Sequence, residues 1–206
     1  MRIVAAGCSH TWGEGLPDVY PKDGVRTEPS ELAWPSLLGK KLNCDVKNIA
    51  NRGAGNLEIM WRLLQFDLKP DDIVIVQWSH FVRYEFFRFD NFDRGSRIRA
   101  NENLFMLDSD ARNKNWALDN AIRNWFTIQH CSLWLESNKH KFLNLIFLND
   151  AKLFPIPEKI HIPNVIDFYQ SLPTFFVDKA LDGSHPGSKT HELVCDTIYD
   201  KVLNYE

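Results

Sequence analysis

No run of apolar residues in this chain approaches the roughly 18–20 that a membrane-spanning helix requires, so such a span is excluded on length. The first residues read as a strand with a single arginine, not as a signal peptide with an apolar core and small-residue cleavage site. A cytoplasmic protein is the expectation. Cysteine is sparse. Cys8, Cys44, Cys131 and Cys195 lie far apart, with no C-x-x-C pair and no histidine-rich tract. That pattern argues for reduced thiols and against a disulfide framework or a structural metal, and no cofactor is expected. Neither sign of charge dominates: 24 Lys and Arg face 27 Asp and Glu, a net charge of −3 that offers no electrostatic case for nucleic acid or an anionic membrane. Repeats and low-complexity stretches are absent. What remains is a chain of 206 residues, long enough for one well-filled domain over 1–206. Fourteen Phe and seven Trp suggest an aromatic-walled cleft or a partner surface, although core packing accounts for most aromatics in most proteins.

Residues 2–6 are a short apolar run that ends in the glycine turn Gly7-Cys8-Ser9-His10-Thr11-Trp12-Gly13. Residues 14–30 are rich in Pro, Gly and charge and read as a surface loop. Residues 31–42 carry apolar positions at helical spacing, which requires Pro35 to lie in the first turn. A second strand near 45–49 opens into the glycine-rich turn 51–56, followed by an amphipathic helix over 57–68. Residues 73–78 are β-branched and apolar on both faces, the mark of a central buried strand. Residues 81–115 are irregular and read as a lid or insertion. The basic and aromatic residues there could suit single-stranded nucleic acid, but Glu85, Asp90 and Asp93 weigh against that. A long helix over 116–138, strands at 142–148 and 164–168, and a helix over 188–203 complete the chain. Strands alternating with helices, each strand delivering a polar turn, predict a three-layer α/β/α sandwich around a mostly parallel, flavodoxin-like sheet of four to five strands.

In such a sheet functional groups collect at the C-terminal strand edge. Ser9 follows the first strand among small neighbours, either as a nucleophile or as the N-cap of a following helix. Asp182 and His185 stand three apart in the turn Asp182-Gly183-Ser184-His185-Pro186-Gly187. There the carboxylate can accept from Nδ1–H and leave Nε2 outward as a general base. The other reading is an Asx-type turn whose histidine caps the last helix or sits in solvent. Cys8 invites a thiol-nucleophile reading, but adjacent side chains point apart.

Taken together, Gly7-Cys8-Ser9, the turn Asn48-Ile49-Ala50-Asn51-Arg52-Gly53 and Asp182-x-x-His185 resemble the SGNH (GDSL-type) hydrolase superfamily over nearly the whole chain. The motifs at 7–13, 33–38, 77–85 and 182–187 are also similar to a branch common among phage-encoded proteins. The resemblance implies Ser9 as nucleophile, His185 as general base and Asp182 as the residue orienting it. The N–H groups of Ser9 and Gly53 would then stabilise the oxyanion. An ester substrate follows, with the aromatics favouring an acylated glycan; the oligomeric state is not readable. An O-acyltransferase, or a binding or structural virion protein that keeps the fold, are the alternatives.

The chain departs from the family pattern twice. Cys8 replaces the aspartate of Gly-Asp-Ser, away from the nucleophile. Phe81 stands where the third block supplies an asparagine to the oxyanion, and losing one such donor typically costs about 2.7–4 kcal/mol of transition-state stabilisation. Ser79, His80, Asn56 or Arg83 could donate instead. Arg83 could equally clamp an anionic substrate or pair with Glu85. Trp78 and His10 complete the residues expected to line the substrate site.

Overall fold

The computed structural model describes residues 1–20, 28–81, 85–86, 99–100, 112–146, 160–167 and 177–204. In chain order the elements are β1 (Arg2–Ala6), α1 (Ser9–Trp12), α2 (Trp34–Leu42), β2 (Asp45–Asn48), α3 (Asn56–Gln65) and β3 (Asp72–Trp78). They are followed by β4 (Glu85–Phe86), β5 (Arg99–Ala100), α4 (Arg112–Ser137), β6 (Lys141–Ile146), β7 (Val165–Asp167) and α5 (Ser188–Leu203).

Five strands form one sheet in the order β2-β1-β3-β6-β7, parallel throughout. The reason is visible in β3, where Ile73-Val74-Ile75-Val76 is buried at every position. Side chains alternate across a strand. Val74 and Val76 of β3, with Val4 and Ala6 of β1, therefore meet Ile59 and Leu63 of α3 and Trp125, Ile128 and Leu135 of α4. Ile73 and Ile75, with Ile3 and Ala5, meet Trp34 and Leu38 of α2 and Val194, Ile198 and Val202 of α5. Helices thus cover both faces, and the α/β/α architecture follows from that alternation.

Each helix has a local cause. Pro35 occupies the first turn of α2, where its missing N–H costs nothing. The start of α5 is capped from outside by Asp178, whose carboxylate accepts from the N–H groups of Lys189 (3.1 Å) and Thr190 (2.9 Å). At the N-terminal strand edge Arg2 clamps Asp72 through Nε (2.8 Å) and a terminal nitrogen (2.6 Å), tying β1 to β3.

Two expectations need correction. The stretch after Gly13 is not simply surface loop: Leu16 and Val19 are buried with Trp12, Ala33 and Ala50 in a small core at the C-terminal strand edge. The segment read as a lid begins inside the protein, because Phe81 is fully buried against Trp125 with ring centroids 4.4 Å apart. Beyond it, β4 and β5 form a two-stranded antiparallel pair. The rest of the segment up to residue 111, including Arg83, lies outside the described residues. Among the described residues, no helix is long and apolar enough to cross a membrane.

Candidate active site

The parallel register brings the ends of β1, β2 and β3 to one edge, with Ala6 opposite Val76 and Ala5 opposite Asn48. The chain leaves β1 through Gly7 and Cys8 and turns at once into α1, whose first residue is Ser9. Cys8 sits just before the helix and buries its thiol in the sheet core, away from Ser9, so its place in the motif is one of packing. The turn is held by side chains that the sequence reading placed in its motifs but gave no role. Gln77 Oε1 accepts from Thr11 Oγ1 (2.6 Å) and from Trp34 Nε1 (2.9 Å), fastening α1 and α2 to the end of β3. Asn48 Nδ2 donates to the Thr11 carbonyl at 2.8 Å, joining the turn that carries Ser9 to the turn after β2.

Ser9 Oγ lies 3.1 Å from His185 Nε2, and His185 Nδ1 lies 2.6 Å from Asp182 Oδ2. The other carboxylate oxygen accepts from the N–H groups of Ser184 (2.9 Å) and His185 (3.0 Å). One carboxylate oxygen thus closes an Asx turn and the other meets the imidazole, while the cap of α5 is Asp178 and not His185. Partial burial alone would raise the Asp182 pKa. The two backbone donors and the imidazole outweigh it and hold the group at about 2. An ionised Asp182 needs a hydrogen on Nδ1, which leaves the Nε2 lone pair to accept from the Ser9 hydroxyl. Ser9 is buried, while His185 is partly open to solvent.

Behind Asp182 the two ends of the site are packed without slack. Leu181 N–H donates to Gly15 O at 3.0 Å, and a Cβ on Gly15 would stand 2.6 Å from the Asp182 carboxyl. With φ at +80°, position 15 admits little except glycine.

The remaining expected residues divide. Gly53 tops its turn at φ +75°, with nothing within 4 Å of where a Cβ would be. His10 and His80 stay at the site: the His10 ring is 5.7 Å from that of His185 and 6.4 Å from that of His80, each pair edge to face. Asn56 does not face a ligand. It is fully buried, its Oδ1 accepting from Ser79 N–H (2.6 Å) and its Nδ2 donating to Asn124 Oδ1 (2.9 Å). Asn124 and Asn120 in turn each donate to the Phe81 carbonyl at 2.7 Å, so three amides pin the turn after β3. Trp78 is likewise sealed in the core, its indole donating to Asn144 at 2.9 Å. Ser79 is buried, and its hydroxyl has no hydrogen-bond partner among the described residues.

One charged pair at this edge escaped the sequence reading. Glu14 Oε2 is 3.6 Å from His185 Nε2, and Glu14 Oε1 is 3.6 Å from a terminal nitrogen of Arg52. The Arg52 guanidinium lies over the Trp12 ring, 5.0 Å from its centroid. By contrast, a groove of about 1140 Å³ along edge strand β2, lined by Lys40, Cys44, Val46 and Ile49, contains none of Ser9, Asp182 and His185. Among the described residues no cluster of three or more His, Cys, Asp and Glu is arranged to hold a metal ion.

Solved structures resemble this chain along almost its full length. A protein of the lipolytic G-D-S-L family from Desulfitobacterium hafniense DCB-2 matches over 97% of this chain and 98% of its own, with a TM-score of 0.53 at 16% identity. The chain has the SGNH hydrolase fold. Acetyl xylan esterase Est2A from the rumen bacterium Butyrivibrio proteoclasticus matches over 98% of this chain and 63% of its own (TM-score 0.60, 17% identity). Esterase EstA from Pseudoalteromonas sp., solved in a form inhibited by monoethylphosphonate, matches over 99% and 97% (TM-score 0.54, 15% identity). No family model matches the sequence, and no curated protein matches it.

Proposed function

We propose that this protein is a serine esterase in which Ser9 is the nucleophile, His185 the general base and Asp182 its orienting carboxylate. The observation that carries the reading is the unbroken chain of two hydrogen bonds, 3.1 Å and 2.6 Å, from the Ser9 hydroxyl to Asp182. Ser9 Oγ attacks the ester carbonyl carbon as its proton passes to His185 Nε2. The imidazolium is stabilised by Asp182 and then gives that proton to the departing alcohol oxygen. Water, deprotonated by the same nitrogen, cleaves the acyl-serine and restores the hydroxyl.

The charge that develops on the carbonyl oxygen falls to the N–H of Ser9, which opens α1 and has no intrahelical partner, and to the N–H of Gly53. As the third donor we assign the Ser79 hydroxyl, which has no hydrogen-bond partner among the described residues. For substrate we favour an O-acetyl group on a carbohydrate, in line with the acetyl xylan esterase of the same fold. An O-acyltransferase would use the same acyl-serine with a second alcohol in place of water. Phe81, buried where the family pattern has a polar donor, gives one observation to the opposing reading of a protein that binds its ligand without cleaving it.

A fluorophosphonate probe separates these readings. Wild type is expected to be labelled and Ser9→Ala not, with hydrolysis of a simple aryl acetate lost in parallel. An unlabelled wild type, or equal labelling of both proteins, refutes the esterase reading.

A further inference from the structure

We infer that Glu14 is a second carboxylate partner of His185, acting on the imidazolium that forms when Ser9 gives up its proton. The inference rests on the esterase reading and adds a residue to its charge balance. In the resting site Nε2 offers a lone pair to the Ser9 hydroxyl, and Glu14 Oε2, 3.6 Å away, has no hydrogen on that nitrogen to accept. Once the proton moves from Ser9 Oγ to Nε2, and Oγ bonds to the ester carbon, the ring is cationic. It then has a carboxylate at each nitrogen: Asp182 at Nδ1 and Glu14 at Nε2. An attraction present in the charged state and absent in the neutral one lowers the barrier without tightening substrate binding.

The surroundings fit that role. The N–H of Glu14 donates to the Ser9 carbonyl at 3.0 Å, so its backbone is tied to the nucleophile itself. Arg52 takes Oε1, leaving Oε2 to the imidazole, and is steadied by the Trp12 ring beneath it. The Glu14 side chain is 32% exposed, so solvent screens the interaction and its effect is that of a part-exposed ion pair. Among the described residues, the groups facing His185 are Asp182 and Ser184 from its own turn, Ser9 and His10 from α1, and Glu14, with Arg52 reached through Glu14 and the buried His191 of α5 nearby.

The test measures the second-order rate at which a neutral fluorophosphonate labels Ser9, across pH, in the full chain and in Glu14→Gln. The substitution keeps the length of the side chain and the backbone bond. We expect labelling at neutral pH to slow about fivefold, with an unchanged Tm. The acidic half-point of the rate profile should move to lower pH, because the imidazolium has lost a neighbouring anion. Superimposable profiles overturn the inference while leaving the esterase reading intact. A slower rate with an unshifted half-point overturns it too, since a purely structural role would produce that result. An unlabelled wild type removes both readings together.

Discussion

His191 makes stability depend on pH in a way that can be worked out in advance. It lies on α5, 2% exposed, with Nδ1 accepting the N–H of Trp34 at 3.1 Å, so it locks α5 to the start of α2. Burial pushes its pKa down from 6.5 to about 4, and the nearby His185 adds slightly to that against the opposing pull of Asp178 and Asp18. A group whose folded pKa is depressed binds its proton more readily in the unfolded chain. Its contribution to stability is therefore complete above about pH 6.5, declines as pH falls, and is exhausted near pH 4. A fall of about 2.5 units at 1.36 kcal/mol each sets the loss at about 3 kcal/mol, a large share of a typical 5–15 kcal/mol. The assay is urea unfolding of wild type and His191→Gln at several values from about pH 7.5 to about pH 4. Every other titrating group is common to both proteins and cancels in the difference. We expect wild type to lose about 3 kcal/mol relative to the variant over that range. Stability curves that stay parallel down to about pH 4 would refute the argument, because a buried neutral histidine cannot fail to produce the slope.

Two further outcomes follow from contacts at the site. Asn124→Asp replaces the donor that meets the Phe81 carbonyl at 2.7 Å with a carboxylate, and should cost about 2–4 kcal/mol in chemical denaturation; a loss under about 1 kcal/mol would mean that the amide cluster does not hold the turn. Gly15→Ala places a methyl group 2.6 Å from the Asp182 carboxyl, at a backbone angle that L-residues avoid. It should lower kcat on an aryl acetate more than tenfold while KM changes little, whereas kcat within about twofold of wild type would show that Asp182 tolerates displacement.

The strands were legible because their chemistry is local. Ile73-Val74-Ile75-Val76 has the same character whatever surrounds it, and the glycine turn at 7–13 interrupts its strand at once. The helix over 188–203 could be read to its last residue, since Ser188 and Leu203 bound a clear apolar periodicity. Pairing Ser9 with His185 across the chain rested on resemblance, not on spacing. Polar side chains with long-range partners resisted reading. Asn56 looked like a ligand donor because it stands in a glycine-rich turn, and only the packing of α3 against α4 reveals Asn124 beside it. Trp78 looked like a cleft wall because it is aromatic at a functional edge, yet its indole answers to Asn144 on β6. Glu14 was hidden for the opposite reason, a charged residue in a stretch whose composition signals solvent.

The hydrogen bond between Ser9 and His185 closes a gap of 176 residues, and all five strands of the parallel sheet precede His185 in the chain. On the proposed esterase mechanism the sheet can therefore be complete during synthesis while Ser9 still lacks its base, so the nascent chain carries an inert hydroxyl. Reactivity switches on when the turn at 178–187 docks against Gly15 and α5 covers its face of the sheet. The appearance of reactivity is thus a report that the last packing step has occurred. A fragment ending ahead of Asp182 would contain all five strands but lack Asp182, His185 and the helix that covers one face of the sheet. Adding back the missing segment as a separate peptide would measure how much of the docking energy is intrinsic to that turn and helix.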